Sequence, residues 1–123
     1  MYTYISIYKG VIIIKLLIVG SRSIKKFDLS GQVPSDTELI ISGGADGGDT
    51  IAEQYANEHK ISKLILYPRY RKYGKAAPIK RNELMVDISD SVIVLWDGKS
   101  QGTKYTIEYA RKSNKPIKII MIN

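Results

Sequence analysis

Five short, continuous apolar runs, separated by stretches of helical periodicity, constrain this chain more than any other feature. They are Lys15-Leu16-Leu17-Ile18-Val19, Glu38-Leu39-Ile40-Ile41, Leu64-Ile65-Leu66-Tyr67, Ser91-Val92-Ile93-Val94-Leu95-Trp96 and Ile117-Lys118-Ile119-Ile120-Met121-Ile122. Runs of this length, rich in β-branched residues and without polar alternation, read as strands buried on both faces, as parallel sheets require. Punctuation follows them: Gly20 closes the first, Ser42-Gly43-Gly44 the second, Pro68 the third and Asp97-Gly98 the fourth.

Helical patterns fill the gaps. Ile51, Ala52, Tyr55 and Ala56 recur on one face between Asp49 and His59. Ile79, Leu84, Met85 and Ile88 form the apolar set between Pro78 and Ile88, with Pro78 suited to a first turn. Thr106, Ile107 and Ala110 face inward between Thr103 and Ser113, and Asn114 and Pro116 stop that helix. Gly31 and Pro34 limit Ile24 to Val33 to a short helix or a turn. Strands alternating with helices predict an α/β fold: a Rossmann-like three-layer sandwich whose mainly parallel sheet has about five strands in the order 3-2-1-4-5. At 123 residues the chain suits one domain, over 15–123, preceded by residues 1–14. Tyr2 to Tyr8 alternates with period two, so this extension reads either as an extra edge strand turning at Lys9-Gly10 or as a mobile arm. Lys9, Gly10 and Lys15 break the first nineteen residues, so no membrane span of about 20 apolar residues is formed, and no cleavage signal follows.

Composition narrows the chemistry. The chain has no cysteine, which excludes disulfides, thiolate metal sites and a cysteine nucleophile and fits a reducing cytoplasm. Its one histidine, His59, cannot build a multi-histidine metal centre, and no cofactor or metal is expected. The formal net charge is +7, and six of the 19 basic residues fall between Arg69 and Arg81 with no acid among them. That excess fits an anionic ligand or polyanionic partner, or a merely soluble basic surface.

In open parallel sheets, ligands bind beyond the carboxyl ends of the strands. Three strand ends carry loop chemistry there. Gly20-Ser21-Arg22-Ser23 offers a tight turn, two hydroxyls and a forked cation, or is an ordinary strand-to-helix turn. Ser42-Gly43-Gly44-Ala45-Asp46-Gly47-Gly48-Asp49-Thr50 places four glycines in six residues before a helix, whose first amides attract phosphate. Asp49 or Thr50 reads equally as a helix cap. Asp97 through Thr103 repeats the pattern, with Gly102 and Thr103 supplying an amide and a hydroxyl. A fourth segment, Pro68 to Ala77, interleaves Tyr70 and Tyr73 with Arg69, Arg71, Lys72 and Lys75, so that a ring can stack on a base while the cations neutralise phosphate. Arg81 and Asn82 follow on the next helix.

Taken together, four motifs resemble the YspA-type branch of the SLOG superfamily, a Rossmann-like group, over nearly the whole chain from Lys15. They are Val19-Gly20-Ser21-Arg22; Ser42-Gly43-Gly44-Ala45 with Gly47 and Asp49; Tyr73-Gly74-Lys75-Ala76-Ala77-Pro78 with Arg81-Asn82; and Trp96-Asp97-Gly98 with Gly102-Thr103. The resemblance implies a nucleotide-derived ligand held by Gly20, Ser21, Arg22, Ser42, Gly43, Gly44, Asp46, Gly47, Asp49, Tyr73, Lys75, Arg81, Asn82, Trp96, Asp97, Gly102 and Thr103. It also implies a homo-oligomer, for which Tyr105 and Tyr109 are candidate surface residues. Two related groups point to different chemistry. Lonely-guy phosphoribohydrolases carry a Pro-Gly-Gly-x-Gly-Thr loop and then a catalytic glutamate; here Gly102-Thr103 matches, but Tyr105 stands at the glutamate position. The DNA-processing protein of transformation, which binds single-stranded DNA, has a loop similar to Ser42 through Asp49. The expected function is therefore sensing or sequestering of a nucleotide or nucleotide derivative, such as an ADP-ribose-like or cyclic nucleotide signal. Phosphoribohydrolase activity and single-stranded nucleic-acid binding are the alternatives.

Overall fold

A computed structural model of the chain describes residues 6–8, 11–44 and 47–123. Its centre is a five-stranded sheet of β3 (Lys15–Gly20), β4 (Leu39–Ser42), β5 (Ser62–Ile65), β6 (Ser91–Trp96) and β7 (Ile117–Met121). The strands lie in the order β5-β4-β3-β6-β7, and every pairing is parallel. This is the 3-2-1-4-5 order that the alternating pattern predicts. Two further strands, β1 (Ser6–Tyr8) and β2 (Val11–Ile13), pair antiparallel with each other and form a separate sheet rather than an added edge. The Lys9-Gly10 turn and Tyr2 to Ile5 lie outside the described residues.

Helix α1 (Gly48–Glu58) packs on one face of the sheet, where Leu16, Ile18, Ile40, Ile93 and Leu95 meet Ile51, Ala52 and Ala56. Helices α3 (Ala77–Ile88) and α4 (Gln101–Lys112) cover the other, where Leu17, Val19, Ile41, Val92 and Val94 meet Met85, Val86, Ile107 and Ala110. Between β5 and α3 lie a single helical turn, α2 (Tyr70–Tyr73), and a 3-10 turn over Gly74–Ala76.

Three sequence expectations change. The third strand runs two residues earlier than its apolar run, because register against β4 pairs Leu39 with Ser62 and Ser42 with Ile65. As an edge strand it is not buried on both faces; Ser62, Lys63 and Leu64 are exposed. The other edge, β7, is also only half-buried, so two-sided burial holds for the inner strands alone. In α3, Ile79 and Leu84 point to solvent while Ala77, Met85 and Val86 fill the core. Of the two alternatives for Ile24 to Val33, a short helix or a turn, the structure takes the turn. The chain runs irregularly to a turn at Ser30–Gln32, with Ser30 N–H donating to Asp28 Oδ1 at 2.9 Å, and Ile24 and Leu29 are buried in the core on the α1 side.

The closest backbone approach sits at the end of β3. A Cβ built on Gly20 would lie 2.5 Å from Gly48 Cα, and one built on Gly48 would collide with the Gly20 backbone. The first turn of α1 is thus pressed onto the end of the central strand, with Gly48 N–H directed at the Ser21 carbonyl at 3.4 Å. Replacing Gly48 by alanine is expected to destabilise the fold by about 2 kcal/mol or more through overpacking. Gly102 is the contrasting case: it is exposed in the first turn of α4, and a Cβ there meets nothing within 4 Å. Gly102→Ala should leave stability unchanged or raise it by about 0.5 kcal/mol through helix propensity. Thermal or urea unfolding of the two variants measures both; equal midpoints would refute the close contact.

Candidate functional site

The carboxyl ends of β3, β4 and β6 converge because these strands are neighbours. The loops that leave β3 and β6, with the first turns of α1 and α4 and one face of α3, enclose a cleft of about 380 Å³. Of the residues that the sequence proposes for a ligand, Gly20, Arg22, Asp49, Arg81, Asn82, Asp97, Gly102 and Thr103 line it. Ser23 and Ser100 also line it; the sequence singled out neither as a site residue, although both lie inside the quoted loops.

Arg81 is the best-anchored charge in the cleft. Its Nη1 donates to the Gly43 carbonyl at 2.6 Å and to the Leu66 carbonyl at 3.0 Å, and its Nε donates to Asn82 Oδ1 at 2.8 Å. The guanidinium therefore joins the loop after β4 to the end of β5. Burial lowers its pKa, and the field of Arg22 acts in the same direction; Asp49 and Tyr70 oppose them. Two guanidinium groups thus approach one another at a partly desolvated cleft, an arrangement that an anion between them makes favourable.

Asp97 organises the opposite wall. Its Oδ1 accepts from Lys99 N–H and Ser100 N–H, both at 2.8 Å, and its Oδ2 accepts from Ser23 Oγ at 2.6 Å. These donors hold the carboxyl well below the usual carboxylate range, Ser23 contributing most. The Ser23 bond also ties the loop after β3 to the loop after β6. Ser100 caps α4, accepting from Thr103 N–H at 3.3 Å and from Thr103 Oγ1 at 3.0 Å. The Thr103 amide is thereby engaged within the protein.

Several expected ligand contacts serve the framework. Ser21 is 1 % exposed; its Oγ accepts from Asp97 N–H at 3.1 Å and lies 3.5 Å from Thr103 Oγ1. Ser42 is fully buried and donates to the Asp49 carbonyl at 3.4 Å and to Glu53 at 3.5 Å. Trp96 donates from Nε1 to the Ser100 carbonyl at 3.2 Å, which fixes the loop from behind the cleft. Gly43 and Gly44 support neighbours rather than line the cleft. Gly43 receives Arg81, and Gly44 (φ +70°) leaves room for the Tyr67 ring, whose Cε1 would lie 2.6 Å from an added Cβ. A valine at Gly44 would therefore strain the loop before it blocked any ligand. Gly47 (φ +79°) passes over the Ser21 and Arg22 backbone and is itself the residue preceding α1. Asp49 is not the side-chain cap that its position suggests: α1 has no side-chain cap, and Asp49 lies buried within its first turn. Lys75 is exposed and, like Tyr73, lies outside the cleft. Tyr73 lines a separate hollow beside Arg81. Asp46 lies outside the described residues.

Tyr105 and Tyr109 are engaged within the chain. Tyr105 donates to Glu83 Oε2 and Tyr109 to Asp87 Oδ1 at 2.8 Å, which raises both phenol pKa values and clamps α4 to α3. Among the described residues, no three His, Asp or Glu side chains are grouped to hold a metal, and no helix is long and apolar enough to cross a membrane.

No family model matches the chain. A 64-residue stretch is 28% identical to an uncharacterised SPbeta prophage-derived protein, YoqJ, of Bacillus subtilis, over 51% of this chain and 37% of that protein. Among solved structures, DNA processing protein A from Helicobacter pylori superposes with a TM-score of 0.66 at 23% identity, over 89% of this chain and 66% of that one. The chain thus spans less than two thirds of either protein. The structural neighbour was described for its mode of binding single-stranded DNA. At this identity the likeness is one of fold: the chain has the Rossmann-like architecture, with an all-parallel five-stranded sheet, that its pattern of runs and loops predicts.

Proposed function

We propose that the cleft binds a phosphate-bearing nucleotide or nucleotide derivative and that the protein senses or sequesters it, in keeping with the YspA-type resemblance of its loops. The observation that carries this reading is the convergence of Arg22 and Arg81 on one cleft beside the start of α4. A volume of about 380 Å³ suits a small ligand. Gly102 supports the same reading: nothing within the fold requires a glycine there, yet it lines the cleft, where a bare backbone admits a close phosphate.

Hydrolysis of the N-glycosidic bond fits less well. It calls for a carboxylate poised to activate water or pass a proton. Asp97 has both carboxyl oxygens engaged by three donors, Asp49 lies buried in the field of Arg81, and Tyr105, at the position where the resemblance puts a glutamate, is bonded to Glu83. Single-stranded nucleic-acid binding is the second reading. It is favoured by the exposed Tyr67, Tyr70 and Tyr73 among the Arg69–Arg81 cations and by the activity described for the structural neighbour.

Calorimetric titration with AMP, GMP, ADP-ribose and a 20-nucleotide single strand separates these readings. Saturable binding of a mononucleotide or ADP-ribose is expected, with no free base released over hours by chromatography. Arg22→Met, at an exposed position, should weaken binding by about tenfold to a hundredfold, the value of one charge-assisted hydrogen bond, with little change in Tm. Gly102→Ala should weaken binding at unchanged stability. Binding of the strand alone, or steady release of base, would overturn the proposal. A pH series tests the Asp97 wall. Because the folded carboxyl titrates below its ordinary value of 3.8, its stabilising effect is fully present above that value and is lost as pH falls below it. The stability difference between the parent and Asp97→Asn should therefore be constant at neutral pH and shrink below about pH 4; a difference that grows on acidification would contradict the assigned bonds.

A further inference from the structure

Beyond the cleft, on the far side of Arg81, lies a second hollow of about 200 Å³. Leu66, Tyr67, Tyr73, Lys80 and Leu84 line it together with Arg81, which is shared by both compartments. Its aromatic and aliphatic groups are conspicuously uncovered: Tyr67 is 65% exposed, Leu84 49% and Tyr73 38%. The Tyr67 ring is seated over Gly44, whose positive φ and missing side chain make that position available. Lys72 Nζ stands 5.1 Å from the centre of the Tyr73 ring. The hollow thus has flat apolar rings rimmed by cations, with no acidic residue in its lining, and it adjoins an anion-binding cleft through one anchored guanidinium.

We propose that this hollow is a base-stacking subsite and that the ligand class is a dinucleotide, two nucleosides bridged by phosphate. The inference rests on the nucleotide reading of the cleft. One unit places its phosphate between Arg22 and Arg81. The bridging phosphate passes Arg81, whose Nη1 bonds to the Gly43 and Leu66 carbonyls fix it at the boundary of the two compartments. The second base stacks against Tyr67 and Tyr73, where Lys80 and Arg69 supply complementary charge. A mononucleotide fills only the cleft and leaves the rings exposed. Two compartments meeting at one cation match two units more closely than a long strand, which needs a continuous groove.

The full chain is titrated with AMP and GMP, with the 5′-phosphorylated dinucleotides pApA and pGpG, and with a 20-nucleotide single strand. The parent should bind one of the dinucleotides at least tenfold more tightly than the matching mononucleotide, since stacking one base contributes about 1–3 kcal/mol. Tyr67→Ala combined with Tyr73→Ala should bring dinucleotide affinity down to the mononucleotide level and leave the mononucleotide unchanged; phenylalanine at both positions should restore the preference. Thermal unfolding checks that the variants are folded. Mononucleotide binding without a dinucleotide preference would overturn this subsite alone, as would equal losses for both ligands in the alanine variant. A strand that binds far more tightly than either dinucleotide, over more than two nucleotides, would replace it with the single-strand reading. Failure of every nucleotide to bind the parent would instead remove the cleft reading itself.

Discussion

The contact between Gly20 and Gly48 sets the geometry on which the site depends. The first turn of α1 can press onto the end of β3 only because neither residue has a Cβ. That approach brings the loop after β4 over the loop after β3, with Gly47 crossing the Ser21 and Arg22 backbone. It also places Asp49 in the cleft wall, near Arg81. A side chain at either glycine would push the helix outward by the depth of a methyl group, and the loops that frame the cleft would separate with it.

From that contact, polar connections spread along the edge of the sheet. Ser21 joins the end of β3 to the Asp97 amide, Ser23 joins it to the Asp97 carboxylate, and Ser100 closes the start of α4 over Thr103. On the other side Arg81 joins the ends of β4 and β5. Each strand end is thus held by a neighbour rather than by its own loop. The cleft walls are thus held by bonds within the protein. The cations and rings from Tyr70 to Lys75 stand outside this network, on a single helical turn and a 3-10 turn.

Several residues that the sequence offers to a ligand make bonds within the framework instead. Ser21, Ser42 and Trp96 are polar residues in glycine-rich loops, and sequence alone does not distinguish a hydroxyl that faces a ligand from one that satisfies a buried amide. The structure makes that distinction through burial. Glycines such as Gly43 and Gly44 invite close approach, and the groups that approach them are the protein's own, Arg81 and Tyr67. Conversely, Ser23 and Ser100 carried no distinctive signal. Their roles follow only from where the carboxylate of Asp97 and the start of α4 come to lie.

The sequence by itself determined the α/β class, the parallel sheet and its order, because uninterrupted β-branched runs favour a sheet covered by two layers and because helical stretches between them favour crossover connections. It also determined that the candidate loops share one edge, since every loop that follows a parallel strand emerges on the same side. Tertiary structure alone decided which of those loop residues face the cleft. It decided that the third strand is an exposed edge, that Ile24 to Val33 closes the core without a helix, and that Arg81 stands between two hollows. These outcomes depend on register and on contacts between residues dozens of positions apart, such as Arg81 with Gly43 and Ser23 with Asp97. Local pattern carries no information about such pairs, because their energies exist only once the sheet has brought the loops together.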